Sequence, residues 1–235
     1  EISFRTTIVY TLAHSAGAFW ISDADLFFNK KKHSEHLMKL QEEINRSDEK
    51  YLAHFRAKYS NPLPPVWMSL EIASFGLVSQ LFNNIHDNQY RRAIARVYGL
   101  QPVVFASWIH TLAYIRNICA HHARLWNRKI RIEPVIPRSS IVGWEIGAAV
   151  DNRRLFFSLA IISFFLNRIG PKNRFSNNLK EPLQAVDRTE PTGAQKQLIS
   201  KLLSSHPDFP LAKLNPEILF AQKVRRGLTF DLTVV

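Results

Sequence analysis

The sequence predicts an all-α protein of antiparallel-bundle type, and three observations carry that expectation. Apolar residues recur every three or four positions through most of the stretch up to Arg168, which is the spacing of a buried stripe on a helix. Gly17, the Asn61–Pro65 run, Gly99, Gln101-Pro102 and Gly170-Pro171 fall where those periodic stretches end or begin. The tract Lys129–Arg138 alternates apolar and polar residues, but prolines at 134 and 137 break it, so it reads as an extended loop or an edge segment.

Composition bounds the problem. The chain has 235 residues and 46% apolar content, which suits one large domain or a domain with an appendage. Its single cysteine, its lack of a secretory pattern and a longest apolar run of only Leu155–Leu166 point to a cytoplasmic protein with no membrane span. The opening residues already have helical character, so an N-terminal segment is expected to precede Glu1. A formal net charge of +12 favours a polyanionic partner, nucleic acid ahead of membrane, since no Lys-rich amphipathic helix stands out.

In chain order, Ile2 to Ser15 reads as a helix with Ile2, Ile8, Val9 and Leu12 inward, stopped by Gly17. Ser22, Asp23 and Asp25 are cap or turn residues, and Asn29 to His33 reads as a basic loop. One long helix is expected from His33 to Tyr59, with a largely solvated outer face. His33 and His36 stand at i, i+3 spacing, but no third ligand lies nearby, so they and His54 read as solvated surface and not as a metal site. After the proline connector a single buried helix is expected from Val66 to Phe82, with Trp67 in the core and Gly76 permitting close packing. Asn88 to Tyr98 forms a short basic helix carrying Arg91, Arg92 and Arg96. Asp151 to Arg168 is a further buried helix with Arg153 and Arg154 at its start, the end that disfavours cations.

Beyond Gly170-Pro171 lie two short helical stretches (177–186 and 195–204), proline-rich turns, and a second basic cluster at Lys223, Arg225 and Arg226. This divides the chain into a helical domain at 1–170 and a basic extension at 171–235. No Gly-rich phosphate loop and no zinc-type spacing occur, so no metal or cofactor is expected.

The chemistry concentrates in Arg116-Asn117-Ile118-Cys119-Ala120-His121-His122-Ala123-Arg124-Leu125-Trp126-Asn127-Arg128. It follows a helical stripe through Phe105, Trp108, Leu112, Ile115 and Cys119. At about 100° per residue, Asn117, His121 and Arg124 share one face (i, i+4, i+7) if the helix continues that far. Ala113 and Ala120 leave room on that face, Arg116 borders it, and His122 turns towards the core flank. Between Arg116 and Arg138 there are six Arg/Lys against one acid, Glu133. A histidine can move a proton near neutral pH, and an arginine supplies permanent bidentate charge for phosphoryl oxygens. Cys119, on the apolar stripe, reads as an inert thiol, and Trp126 as core or a loop anchor.

Arg116, four residues, then His121 resembles the Arg-x4-His signature of HEPN ribonucleases, and the longer run through Arg128 resembles the Abi family of bacterial abortive-infection proteins (the AbiD/AbiF-like group). Fainter likeness runs through Arg5-Thr6 and Gly17-Ala18-Phe19-Trp20. The resemblance implies a HEPN-like helical bundle, here with extra helices and proline-rich loops. It implies metal-independent RNA cleavage, with Arg116, Asn117 and His121 catalytic. Such proteins use two motifs, and this sequence has one, so a homodimer is expected to supply the second. The RNA-binding candidates are Arg124, Arg128, Lys129, Arg131, Arg91, Arg92, Arg96, Arg153, Arg154, Lys223, Arg225 and Arg226. Two alternatives stay open: a non-catalytic protein held in complex with a regulatory small RNA, and a nucleotide-binding adaptor.

Overall fold

In the structure, a computed structural model, residues 1–125, 128–144, 146, 150–170 and 172–175 are described. Eight helices occupy them: α1 (Ile2–Ala16), α2 (Lys30–Arg46), α3 (Lys50–Lys58), α4 (Val66–Ile72), α5 (Phe75–Asn84), α6 (Asn88–Val97), α7 (Pro102–Ala120) and α8 (Leu155–Ile169). Among the described residues extended pairing is limited to two isolated bridges, Phe27 with Ile85 and Ile141 with Trp144. The fold is all-α. The chain divides into one unit of residues 1–144 and 152–165 and another of residues 145–151 and 166–235. The stretches at 177–186 and 195–204 and the cluster Lys223, Arg225 and Arg226 lie outside the described residues.

Local chemistry sets most helix ends. Gly17 takes φ 88° after α1 and Gly99 takes φ 65° after α6, a left-handed backbone that glycine adopts without a Cβ clash. Pro102 occupies the first turn of α7, where a missing N–H costs nothing. Asp87 caps α6 by accepting the Gln89 N–H.

Two long expected helices are each broken. The basic loop expected at Asn29–His33 is instead the start of α2, because the Asn29 side chain accepts the Lys32 N–H at 2.9 Å and caps the helix. The expected helix to Tyr59 then stops at Arg46. Ser47 turns extended and its hydroxyl takes the Glu49 N–H at 3.4 Å, the local competition that makes serine a poor interior residue. Likewise Val66–Phe82 splits at Ala73-Ser74. Ser74 caps α5 by accepting the Leu77 N–H, while its own N–H reaches Glu43 Oε2 at 2.7 Å. The carbonyls at the end of α4 go to Arg5, whose Nη1 donates to Leu70, to Glu71 at 3.3 Å and to Ala73 at 2.7 Å. Trp67, expected in the core, is 51% exposed, because the break rotates α4 independently of α5.

The core is aromatic. Phe4 of α1 meets Phe75 of α5, Tyr98, Phe105 of α7 and Phe165 of α8 with ring centroids 4.6 to 5.9 Å apart, mostly edge to face. The buried residues of α1 are Phe4, Ile8 and Leu12, while Ile2 is exposed. Tyr98 keeps its hydroxyl satisfied by Ser3 (2.9 Å) and Thr7 (2.8 Å), while burial pushes its ionisation up. A second knot joins Trp108, Trp144, Phe157 and Phe164.

His33 and His36 are buried, not solvated. His33 Nε2 lies 2.8 Å from the Ile21 carbonyl and its ring stacks on Phe27 at 4.0 Å. Burial holds His36 below the ordinary histidine range, with the nearby Lys39 adding to the effect. Their i, i+3 spacing is thus a core stripe. Among the described residues no group of three or more His, Cys, Asp or Glu could hold a metal ion, and no helix is long and apolar enough to cross a membrane.

Candidate functional site

The candidate site is the C-terminal end of α7, and how that helix stops decides its geometry. The helix ends at Ala120, short of the Arg124 required by the i, i+4, i+7 expectation. His121 N–H still bonds the Asn117 carbonyl at 3.1 Å, so His121 sits one turn above Asn117. The chain then reverses: His122 N–H returns to the Cys119 carbonyl and Ala123 N–H to the Ile118 carbonyl, each at 3.0 Å. These two bonds form a Schellman motif, with His122 in the left-handed position at φ 50° where glycine is usual. Sequence spacing could not reveal this stop, because no glycine marks it.

The consequences differ for each expected residue. Asn117 and His121 remain on one exposed line of α7, with Ala120 exposed beside them. Ala113 is buried and offers no room on that face. Arg124 is exposed but has left the helix, so the third member of the expected face is not aligned with the other two. His122 is exposed instead of facing the core flank. The buried surface of α7 is also wider than one stripe, since Val104, Ala106, Ile109, Thr111 and Ile118 are buried along with Phe105, Trp108 and Ile115. Cys119 is half-buried, and burial raises its thiol above the usual range, which keeps it protonated and unreactive.

Arg116 projects to the neighbouring edge, with its side chain 53% exposed. Its Nε lies 3.8 Å from Glu1 Oε2, and Glu1 Oε1 is held at 2.7 Å by Arg5 Nη2. A long, exposed ion pair of this kind holds a side chain weakly, so Arg116 can exchange Glu1 for a phosphate at little cost. Gly76 of α5 stands behind Asn117. A Cβ added there would meet Asn117 Nδ2 at 4.0 Å, an ordinary contact, so close packing does not demand a glycine.

His110 was not among the expected site residues. It is exposed on α7 seven residues before Asn117 and on the same line, so His110, Asn117 and His121 form an exposed polar stripe. Half-buried Tyr114 lies between them. The sequence signal was the 7- and 4-residue spacing of these positions, obscured by the apolar residues that surround them.

Of the basic candidates, the segment after α7 brings several together. Ser107 Oγ accepts the Val135 N–H at 2.8 Å and Trp108 Nε1 donates to the Val135 carbonyl at 2.9 Å, so this extended segment returns alongside α7. Ile130 N–H bonds the Arg153 carbonyl at 2.8 Å, and Asn152 Nδ2 bonds the Pro134 carbonyl at 2.7 Å. Arg128, Lys129 and Arg131 are therefore gathered near Arg153 and Arg154, which precede α8 because the helix begins at Leu155, not Asp151. Arg138 is exposed further along the same segment.

The α6 arginines are elsewhere. Arg91 lies over the Phe82 ring at 5.7 Å, and Phe82 packs on Phe105 at 4.9 Å, near the opposite end of α7 from Arg116. Phe105 and Arg116 are eleven residues apart, about 16 Å along a helix axis. Arg92 and Arg96 are exposed on the same short helix.

A family model described as Abi-like protein matches residues 1–127, more than half of the chain and up to the residue before Arg128. No curated protein and no solved structure matches the chain.

Proposed function

Because the chain belongs to the Abi-like protein family, we infer that it serves in abortive-infection defence against phage as an RNA-binding, metal-independent endoribonuclease of HEPN type. The observation that carries this reading is the end of α7. Asn117 and His121 stand one turn apart on an exposed line, with the weakly held Arg116 at its edge. A helix C-terminus carries partial negative charge and does not attract phosphate by itself. The positive potential of this site therefore has to come from side chains; Arg116 stands at its edge and exposed Arg124 follows the helix end.

In the proposed reaction the ribose 2′-oxygen attacks the adjacent phosphorus and the bond to the 5′-oxygen breaks. One imidazole takes the 2′-OH proton and another group protonates the leaving 5′-oxygen. The products are a 2′,3′-cyclic phosphate and a 5′-hydroxyl. His121 performs one of the two proton transfers, Arg116 neutralises the phosphorane, and Asn117 orients the histidine or a phosphate oxygen. A second copy of the chain would bring the second motif, with the Arg116 of one chain facing the His121 of the other, which is the reason to read the active species as a homodimer.

The test is direct. RNA incubated with purified protein should acquire 2′,3′-cyclic phosphate ends, and Arg116→Ala or His121→Ala should lower the rate at least about a hundredfold. Retained RNA binding with no cleavage would turn the reading into that of a non-catalytic RNA-binding protein. Preference for mononucleotides over RNA would favour the adaptor.

A further inference from the structure

A second group of rings and cations lies away from the end of α7. Phe28 is 78% exposed, yet its backbone is tightly held. Its N–H donates to the Asn84 carbonyl at 2.8 Å, and His86 N–H donates to the Leu26 carbonyl at 2.8 Å, on either side of the Phe27–Ile85 bridge. The buried Asn84 side chain completes the clasp: its Oδ1 accepts the Asn29 N–H at 2.9 Å and its Nδ2 donates to the Asn29 carbonyl at 3.0 Å. Diagonal positions of an antiparallel pair bring side chains to one face. Accordingly the Phe28 and exposed His86 rings lie within 9° of parallel, with centroids 6.1 Å apart. Two flat rings thus stand side by side on a held backbone and face solvent.

Cations follow each ring in the chain. Lys31 and Lys32 follow Phe28 on exposed positions and make no ion pair with a described residue, while Lys30 is held by Asp25 at 2.6 Å. On the other strand, α6 begins two residues after His86 and presents exposed Arg92. Arg91 beside it lies over Phe82, with Nε buried and without a hydrogen-bond partner. Of the nearby acids, Asp23 and Asp87 are engaged with the backbone N–H groups of Asp25 and Gln89, and Glu35 lies one turn into α2.

We propose that the Phe28–His86 clasp, with Lys31, Lys32 and Arg92, is an anchoring subsite for single-stranded RNA, in which bases stack on the two exposed rings and the cations neutralise the flanking phosphates. The proposal rests on the RNA reading of the α7 site and adds where the strand is held. Unpaired bases fit because every base offers a π face, and a ring fixed in advance loses little freedom on stacking. The cations match a polyanion, which an apolar protein surface would leave unpaired. Arg91, beside Arg92, reaches α7 through Phe82 and Phe105, and Phe105 stands about 16 Å from Arg116 along that helix. One strand of several nucleotides would span both places, and a dinucleotide would not.

The experiment measures anisotropy of a labelled, uncleavable 2′-O-methyl oligouridylate of about 12 nucleotides, a length within the usual range of such sites, on the intact chain. Phe28→Ala should weaken binding about five- to hundredfold with an unchanged salt slope, and Phe28→Trp should restore it. Replacing Lys31 and Lys32 with alanine should flatten the slope by about 1.4. A paired duplex of equal length should ignore Phe28→Ala. Equal binding by wild type and Phe28→Ala would overturn the subsite while leaving the RNA reading standing. A duplex that loses as much as the single strand would overturn stacking. Poly-glutamate bound with the same Phe28 dependence would replace RNA with an acidic protein segment. A wild-type chain that binds no oligonucleotide would overturn both readings. Because Phe28 is exposed, circular dichroism of Phe28→Ala should match wild type, which separates lost stacking from lost fold.

Discussion

His121 and His122 are adjacent in sequence, and the backbone gives them opposite characters. His121 remains within reach of the last helical turn, whereas His122 occupies a left-handed position that costs an L-residue about 1–2 kcal/mol. That position explains why His122→Gly should be tolerated. Relief of the Cβ clash slightly exceeds the added freedom of the unfolded chain, so stability should rise by up to about 1 kcal/mol. His122→Val, β-branched and ill-suited to φ 50°, should lower it by about 1–2 kcal/mol. Urea midpoints of the two variants would check this, and a midpoint lowered by the glycine variant would contradict the Schellman geometry. His36 illustrates a different constraint. Its folded pKa is depressed chiefly by burial, so the unfolded chain takes up protons first as pH falls. Stability should therefore be full above the ordinary value of 6.5 and decline as pH falls below it. Thermal melts of wild type and His36→Leu between neutral and mildly acidic pH should show a smaller acid loss in the variant. An equal loss would place the titration elsewhere.

Arg5 does for α4 what a C-cap glycine does for other helices: it closes the terminal carbonyls, and it does so from α1. Arg5→Ala would leave those carbonyls without their donor and should cost about 2–4 kcal/mol, with Arg5→Lys recovering only part because an ammonium lacks the planar fork. Urea denaturation gives both values, and a loss below about 0.5 kcal/mol would show that solvent replaces the clamp. This cross-chain contact also marks what the sequence could and could not reveal. The all-α class, the starts of α6 and α7, and the stops at Gly17 and Gly99 were legible because each depends on local residues. The breaks at Ser47 and Ala73-Ser74 were not, since apolar periodicity continues across them and the groups that settle the second, Glu43 and Arg5, come from other helices. At the site, Asn117 and His121 survived as neighbours because i, i+4 spacing needs only one intact turn, while Arg124 depended on a helix that ends four residues earlier. Buried His33 shows the same limit, since its partners Ile21 and Phe27 are supplied by the preceding segment and not by its own helix.

For the molecule as a whole, the net charge of +12 has no single centre, and among the described residues its basic groups sit on several elements. The Arg128–Arg131 segment lies by Arg153 and Arg154, and the α6 arginines lie towards the far end of α7. Such a distribution suits a strand laid across the protein better than a compact anion held at one point. It also bears on assembly. The exposed stripe of His110, Asn117 and His121 is a straight polar edge on α7, and two copies meeting along it would place one histidine opposite the arginine of the other. If Arg116 of one chain acts with His121 of its partner, neither Arg116→Ala nor His121→Ala alone should cleave. Random exchange of the two variants would make half the dimers mixed, each with one intact site of two, so activity should return to about a quarter of wild type. Activity in the mixture should fall on dilution as dimers separate, and sedimentation velocity should show the change at the same concentrations. No recovery, with dimers present, would place Arg116 and His121 of a single chain in each site. Full wild-type activity from a monomer would remove the shared site altogether.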